Sequence, residues 1–477
     1  MIPVRSLASE KVAVLGLGRS GLSAALALTA GGANVVAWDD SVVQRTGAQS
    51  HGIKIENFLE IGLSCVSSLV LSPGIPLRHP VPHPVVEMAR SSSVEIVGDI
   101  ELLARSVCGP RLVGITGTNG KSTVTALLGH LMRTAGENVQ VGANIGKPAL
   151  SLDPLDNSGV FVLELSSFQL DLLTTAIFDV GVWINLSPDH LERHGGLNGY
   201  IRAKTNLFER RTDASVAIIG VDDSISADLA ENLRQDGIGM VIPISSKGSV
   251  SGGVYTVDGQ LYDDLDGGSV AVADLQNILA LRGQHNWQNA AAAFAAARAC
   301  GLSVGTAARG LADFTGLPHR QEEIAVYEGV RYINDSKATN MLATAQALAR
   351  HSSIYWIAGG RAKDLELDTL KHLLSRVVHV FLIGEAAGPF SKELRKHVPY
   401  TISVTLDVAV AQAREAAMAD GNEKSVVLLS PACSSFDQFD DFEARGDAFR
   451  FLVQNLSTSD IEASVPDPLG LQKGPSV

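Results

Sequence analysis

The stretch Gly114-Ile115-Thr116-Gly117-Thr118-Asn119-Gly120-Lys121-Ser122-Thr123 decides how the rest of this chain reads. The apolar run at 112–115 reads as a short buried strand, and residues 124–133 read as a helix. A glycine-bearing turn between strand and helix lets backbone N–H groups approach phosphate oxygens, because glycine puts no Cβ in the way. The helix N-terminus adds further donors and partial positive charge. Gly117, Thr118, Asn119 and Gly120 would form the cradle. Lys121 would reach the β- and γ-phosphates, and the Ser122 or Thr123 hydroxyl would bind Mg2+. The strict pattern places a glycine at 115, where Ile115 stands, and the glycines here are Gly114 and Gly117. The reading is a nucleoside triphosphate site on an α/β sheet.

Length and charge narrow the setting. A chain of 477 residues, 45% of them hydrophobic, is long enough for about three domains with a core in each. A net charge of −13 argues against a nucleic-acid or anionic-membrane binder, so an anionic ligand must be held by local donors. Cys65, Cys108, Cys300 and Cys433 are far apart and form no CxxC, which indicates neither zinc nor a disulfide framework. No apolar run reaches the ~18 residues of a membrane span, and no signal pattern opens the chain. A cytoplasmic protein is expected.

Upstream of the phosphate loop, residues 11–16 read as a strand. Gly16-Leu17-Gly18-Arg19-Ser20-Gly21 follows, then an alanine-rich helix to about 30 and a second strand at 34–38 closed by Asp39-Asp40. This GxGxxG with an acid about 20 residues on suits NAD, or any nucleotide on a Rossmann-like sheet. Ser72-Pro73-Gly74 follows the apolar run 68–71, at a strand end where such sheets place ligands. Cys108-Gly109-Pro110 marks a first boundary and residues 314–318 a second. The expected domains are therefore 1–108, 109–313 and 314–457, with 458–477 a disordered tail. Strands are expected at 160–165, 180–185 and 215–219, then at 330–334, 354–358, 377–383 and 426–430. Helical segments alternate with them, which predicts mostly parallel sheets. Residues 252–272 read as a hairpin excursion on the central sheet, and 286–299 as a closely packed alanine-rich helix.

Three polar segments fall where central strands end. Glu164 lies on an apolar strand, where a buried carboxylate needs a cation or donors, and Mg2+ beside the phosphate loop would serve; the alternative is an edge carboxylate in solvent. His190, in Ser187-Pro188-Asp189-His190-Leu191-Glu192-Arg193, is a metal or substrate ligand or simply a polar loop residue. Asn144, before Ile145-Gly146, could offer its amide to a phosphate or a metal-bound ligand.

With the phosphate loop, these segments resemble the Mur ligases, the ATP-dependent amide-forming ligases of peptidoglycan precursor synthesis. The resemblance runs from residue 10 to about 455 in motif order. It implies a Rossmann-like N-terminal domain, a P-loop ATPase centre and a Rossmann-like C-terminal domain. Asn334-Asp335-Ser336-Lys337-Ala338-Thr339-Asn340 and Ser430-Pro431-Ala432-Cys433-Ser434-Ser435-Phe436 look like the D-glutamate-adding branch, and the DNPR signature of another branch is absent. The resemblance assigns Gly18, Arg19, Ser20, Asp39, Asp40, Ser72, Pro73, Gly74, Asn144 and His190 to a UDP-sugar substrate instead of NAD. It gives Asn286, Asn289, Arg320 and Asp335 to ATP, and Lys337, Thr339, Lys363, Ser435 and Phe442 to glutamate. Lys121, Glu164, His190 and Lys204 become the catalytic set. Two Mg2+ ions are implied, one on Ser122, Thr123 and Glu164 and another near His190 and Lys204, the latter as a carbamate; otherwise Lys204 is an ordinary helix-surface lysine. The implied reaction joins D-glutamate to UDP-N-acetylmuramoyl-L-alanine through an acyl phosphate, in a monomer. Arg361 stands where related enzymes often carry a small or acidic residue, which leaves that loop's geometry open.

Other readings are an NAD oxidoreductase fused to a P-loop domain, a P-loop switch, and a folylpolyglutamate synthase. The first leaves residues 164–170 and 334–340 unexplained, the second predicts slow hydrolysis insensitive to any UDP-sugar, and the last lacks a UDP-binding domain.

Overall fold

The computed structural model describes residues 1–362, 367–422 and 424–457. Lys363 and the expected tail at 458–477 lie outside the described residues. Contacts divide the chain into two compact units, Met1–Thr315 and Gly316 onward.

The first unit holds two sheets. One is all parallel, in the order β3-β2-β1-β4-β5, from β1 (Lys11–Leu15), β2 (Asn34–Trp38), β3 (Lys54–Ile55), β4 (Ser68–Leu71) and β5 (Glu95–Val97). The strand order reverses between β1 and β4, so a crevice opens beyond their C-terminal ends, between the Gly16–Gly21 turn and the loop after Leu71. A Cβ on Gly21 would sit 1.8 Å from the carbonyl oxygen of Gly16, so only glycine lets the helix Arg19–Ala30 start this close to the strand.

The second sheet runs β14-β13-β12-β11-β10-β9-β6-β8-β7. Its strands are β6 (Arg111–Thr116), β7 (Val139–Ala143), β8 (Val160–Glu164), β9 (Val180–Trp183), β10 (Val216–Gly220), β11 (Met240–Ser245), β12 (Val254–Val257), β13 (Gln260–Asp263) and β14 (Val270–Asp274). β6 to β12 pair in parallel and read as continuous apolar runs, because helices cover both faces. The helix Gln284–Ala299 fills one face, with residues 290–297 wholly buried. Alanine adds little area per residue, so this helix stabilises by approaching the sheet closely and leaving no void. The expected hairpin at 252–272 is instead a three-stranded antiparallel meander that extends the sheet beyond β11.

The second unit carries a six-stranded sheet, β15-β16-β20-β17-β18-β19. It comprises β15 (Glu322–Tyr327), β16 (Val330–Asn334), β17 (Ile354–Gly359), β18 (Val377–Ile383), β19 (Tyr400–Val404) and β20 (Val426–Leu429). All neighbours are parallel except β15, which pairs antiparallel with β16. Sequence reading misses both edge strands. β15 opens on Glu322-Glu323 and β19 alternates polar with apolar residues, because an edge has only one side to bury.

Candidate functional site

The phosphate loop leaves β6 and enters the helix Lys121–Thr134 directly at Lys121, three residues earlier than the apolar period suggests. Gly120 has φ of +85°, and a Cβ there would come within 2.1 Å of Asn289 Oδ1, so glycine is required twice over. Asn185, just beyond β9, holds the loop from below. Its carbonyl accepts from the Thr118 N–H at 3.0 Å and its side-chain oxygen from the Asn119 N–H at 3.0 Å. Thr118 Oγ1 donates to the Ser187 carbonyl at 2.9 Å. Lys121 Nζ lies back across the loop, donating to the carbonyls of Gly117 (3.0 Å) and Thr118 (2.9 Å). Asn289, which lies beside Gly120, donates from Nδ2 to Asn286 Oδ1 at 3.3 Å.

Two groups converge on this loop from its sides. Glu164, at the end of β8, is 3% exposed, and its Oε1 accepts from Asn144 Nδ2 at 2.7 Å. Its Oε2 is buried without a hydrogen-bond partner. Lys204, on the helix Leu197–Thr205, is 1% exposed and so is not a helix-surface lysine. Its Nζ donates to Thr116 Oγ1 (3.1 Å) and the Gly117 carbonyl (2.8 Å) and lies 4.9 Å from the Tyr200 ring centroid. Burial, reinforced by the charge of Lys121, holds its amine well below the usual lysine range. Among the described residues no three of His, Cys, Asp and Glu gather as a metal cluster. The partnerless Glu164 Oε2 is nonetheless an oxygen donor of the kind Mg2+ takes, and the Ser122 and Thr123 hydroxyls open the adjacent helix.

The substrate-side candidates line the crevice of the first sheet and reach the second. Asp39 Oδ2 accepts from the Leu17 N–H at 2.6 Å, closing the glycine turn. Asp40 accepts from Trp38 Nε1 at 3.2 Å. Arg19 Nη2 donates to the carbonyl of Gly146 at 2.7 Å, and Ser20 bonds the buried Asp99. The Ser72-Pro73-Gly74 loop is gripped by Arg193, which donates to Gly74 (3.2 Å) and Pro73 (3.5 Å) carbonyls and stacks on Phe168. His190 stands exposed in left-handed backbone (φ 49°), 5.1 Å from the Phe168 ring.

In the second unit, candidates gather where β16, β17 and β20 end. Asp335 is buried, its carboxylate accepting from Ser430 Oγ (2.8 Å) and the Gln321 N–H (3.1 Å). Burial outweighs these bonds and pushes its pKa up to about 6. Lys337 Nζ is 5.7 Å from the Phe442 ring, and the Thr339 N–H donates to the Lys337 carbonyl at 2.9 Å. Ser435 is buried in the loop that follows β20. Arg320 is exposed.

Similarity to known proteins agrees with this layout. The family description Mur ligase middle domain matches residues 115–297. A UDP-N-acetylmuramoylalanine–D-glutamate ligase of Caulobacter vibrioides is 48% identical over 471 residues, covering 98% of this chain and all of that relative. One of the same name from Phenylobacterium zucineum is 47% identical, covering 97% of this chain and all of its own. This chain belongs to the Mur ligase family. A solved UDP-N-acetylmuramoyl-L-alanyl-D-glutamate–2,6-diaminopimelate ligase, 19% identical, superposes with TM-score 0.55 over 96% of this chain and 94% of its own, which supports the fold. Membership displaces the reading of Gly16–Gly21 as a nicotinamide site.

Several residues of this Mur ligase carry the site without having stood out in its sequence. Arg193 and Asn185 sit inside recognised motifs but act through backbone carbonyls and amides, which no residue pattern displays. Arg445 is a buried cation on the helix Phe442–Gln454, donating to Ser336 Oγ (3.0 Å) and to the carbonyls of Ser336 (3.0 Å) and Cys433 (3.1 Å). It ties the loop after β16 to the loop after β20. Its period-matched place on an amphipathic helix looks like surface charge, and only the fold turns it inward.

Proposed function

We propose that this chain joins D-glutamate to UDP-N-acetylmuramoyl-L-alanine, hydrolysing ATP to ADP and phosphate in the process. The observation that carries this reading is likeness over almost the full length to relatives bearing that name, at 48% and 47% identity. The buried pair Glu164 and Lys204 beside the phosphate loop supports it.

In this reading an alanyl carboxylate oxygen attacks the γ-phosphorus and ADP leaves, giving an acyl phosphate. The neutral glutamate amine then attacks the carbonyl carbon, phosphate leaves with the electron pair of the single bond that joined the acyl carbon to its bridging oxygen, and the amine proton passes to solvent or phosphate. Both reactants of the first step are anionic, so the chain's task is fixed charge and fixed geometry. Lys121 and the turn at residues 117–120 would hold the phosphates, with the Thr118 and Asn119 N–H groups engaged by Asn185 to fix the turn's shape. Mg2+, when bound, screens the triphosphate from the incoming carboxylate. Ser122, Thr123 and Glu164 would hold one ion; His190 and a Lys204 carbamate would hold a second. The carbamate forms when the neutral Lys204 nitrogen adds to CO2 and loses a proton, which its burial favours.

Residues 1–108 would bind the UDP group through Gly18, Arg19, Ser20, Asp39, Asp40 and Ser72 to Gly74, with Asn144 and His190 reaching the sugar-borne part. Residues 109–313 would bind ATP, aided by Asn286 and Asn289, with Arg320 and Asp335 as further nucleotide contacts. Residues 314–457 would hold glutamate through Lys337, Thr339, Lys363, Ser435 and Phe442. A cytoplasmic monomer suits these diffusible substrates, and no helix among the described residues is long and apolar enough to cross a membrane. The test is phosphate release with UDP-N-acetylmuramoyl-L-alanine and each amino acid in turn. Release that needs both the UDP-sugar and D-glutamate supports the reading, and release indifferent to either overturns it.

A further inference from the structure

A chain of side-chain amides runs from the phosphate loop to a carboxylate remote from it, and its hydrogen-bond polarity is forced at both ends. At one end the Asn119 backbone N–H donates to Asn185 Oδ1 at 3.0 Å. Asn185 Nδ2 donates to Gln288 Oε1 at 3.0 Å, and Gln288 Nε2 donates to Asp222 Oδ2 at 3.1 Å. At the other end Asp222 also accepts from Ser245 Oγ (2.6 Å) and from the N–H and Oγ of Ser246 (2.8 Å each). A backbone N–H can only donate and an ionised carboxylate can only accept. The two amides between them therefore have one orientation each, independent of how their oxygen and nitrogen atoms are assigned. Gln288 is 7% exposed, so water does not compete for its amide.

We propose that Gln288, seated by Asp222, is a positioning residue for nucleotide binding: it fixes the Asn185 amide, and through it the Asn119 N–H and the phosphate loop. This rests on the reading of residues 117–123 as the ATP site. Without Gln288 the Asn185 amide is free to rotate, and its NH2 can then face the Asn119 N–H. Two donors face to face would open the loop before any phosphate arrives. Asn185 also grips Thr118 through its carbonyl, so the loop is clamped at two successive residues, and only the second clamp depends on a side-chain orientation. The helix Gln284–Ala299 thus acts on the nucleotide twice, by Asn289 beside Gly120 and by Gln288 through Asn185.

The test is calorimetry of ATP binding to the full chain, with steady-state KM and kcat beside it. Gln288→Met keeps the side chain's length and removes both hydrogen-bonding groups. It should weaken ATP binding about tenfold, in line with a lost buried hydrogen bond, while the KM values for the UDP-sugar and glutamate stay within about twofold. Gln288→Glu sets two carboxylates against each other at the Asp222 contact and should be at least as weak. Parent-like ATP affinity in Gln288→Met or in Gln288→Glu would overturn the proposal. Should Gln288→Met fail to fold, Gln288→Glu decides alone. A parent chain that binds no ATP would instead remove the nucleotide reading itself.

Discussion

The ammonium nitrogen of Lys204 lies 2.8 Å from the carbonyl oxygen of Gly117, inside the turn that would cradle a triphosphate. Burial and the neighbouring charge of Lys121 hold that amine well below the usual lysine range. A neutral amine is what CO2 adds to, and the anionic product would face the Lys121 cation as an opposite charge instead of a like one.

Lys204→Ala should lose at least about 100-fold in ligation rate, the scale of a misplaced catalytic group, and short carboxylic acids should restore part of it. Lys204→Arg should stay inactive, because a guanidinium cannot become a carbamate. Labelled bicarbonate should give the parent, but not Lys204→Ala, a carbamate carbon resonance. An active arginine variant would show that positive charge alone is needed.

Lys121→Ala should abolish ATP binding while the melting temperature barely moves. Its ammonium bonds the Gly117 and Thr118 carbonyls, which solvent can satisfy in its place. Turnover near that of the parent would exclude the phosphate-loop assignment.

The junction between the two sheets of the first unit rests on Glu101. The Arg78–Asp171 pair also spans it, but is exposed on the arginine side and contributes at most about 1 kcal/mol. Glu101 is wholly buried and accepts from Thr174 N–H, Thr175 N–H and Oγ1, Ala176 N–H and Arg105. Burial alone would raise its pKa, yet these donors together bring it down to about 2. A depressed carboxylate stabilises the fold above its unfolded pKa, and that stability is lost as pH falls from about 4.5 toward 2. Glu101→Gln should therefore lower stability at pH 7 by about 3 kcal/mol, the worth of such a shift, with the gap to the parent closing in acid. A pH-independent gap in denaturant midpoints would refute this.

Asp335 behaves in the opposite sense. Its pKa is raised to about 6, so the folded state holds the proton more tightly than the unfolded one. Its contribution therefore falls as pH rises from about 4 to about 6. Asp335→Asn should be relatively more stable than the parent at pH 7 than at pH 4 in the nucleotide-free protein. Melting curves across that window check the sign, and a difference that shrinks with rising pH would contradict it.

Amino-acid choice tests the glutamate pocket. Lys337 and Lys363 would pair with the two carboxylates, and Thr339 and Ser435 would add neutral donors. The enantiomer can satisfy two of the three groups on the chiral carbon but misaims the third, at a cost of about 100-fold. D-glutamate should therefore be strongly preferred to L-glutamate, with D-aspartate poor. Lys337→Ala should raise the KM for glutamate far more than that for ATP. Equal rates for the two enantiomers would remove this pocket.

What the sequence determined alone is whatever depends on neighbours along the chain. Residues 112–123 announce strand, glycine turn and helix because apolar run, glycine and helix former follow one another directly. The same holds for β1 with Gly16–Gly21 and for the alanine helix at 284–299, whose composition suits close packing. Strands β3, β5 and β11 went unread, but β1, β2, β4, β6, β8, β9, β10, β16, β17, β18 and β20 were legible for a similar reason: burial on two faces makes their runs almost wholly apolar. Edge strands β15 and β19 were not, since one-sided burial leaves charged and polar residues in the run. Tertiary structure decided everything that turns on distance between remote segments. Lys204 was singled out only by its resemblance to a family lysine, since its own helix equally allows a surface position, and its burial appears only when that helix packs against β6 and its loop. Arg445 and Gln288 are polar residues of no evident role until the fold sets Ser336 and Cys433 around one, and Asn185 and Asp222 around the other. Hydrogen bonding is short-ranged and directional, so a partner 103 residues away, as Gln288 is from Asn185, leaves no periodic trace in the chain.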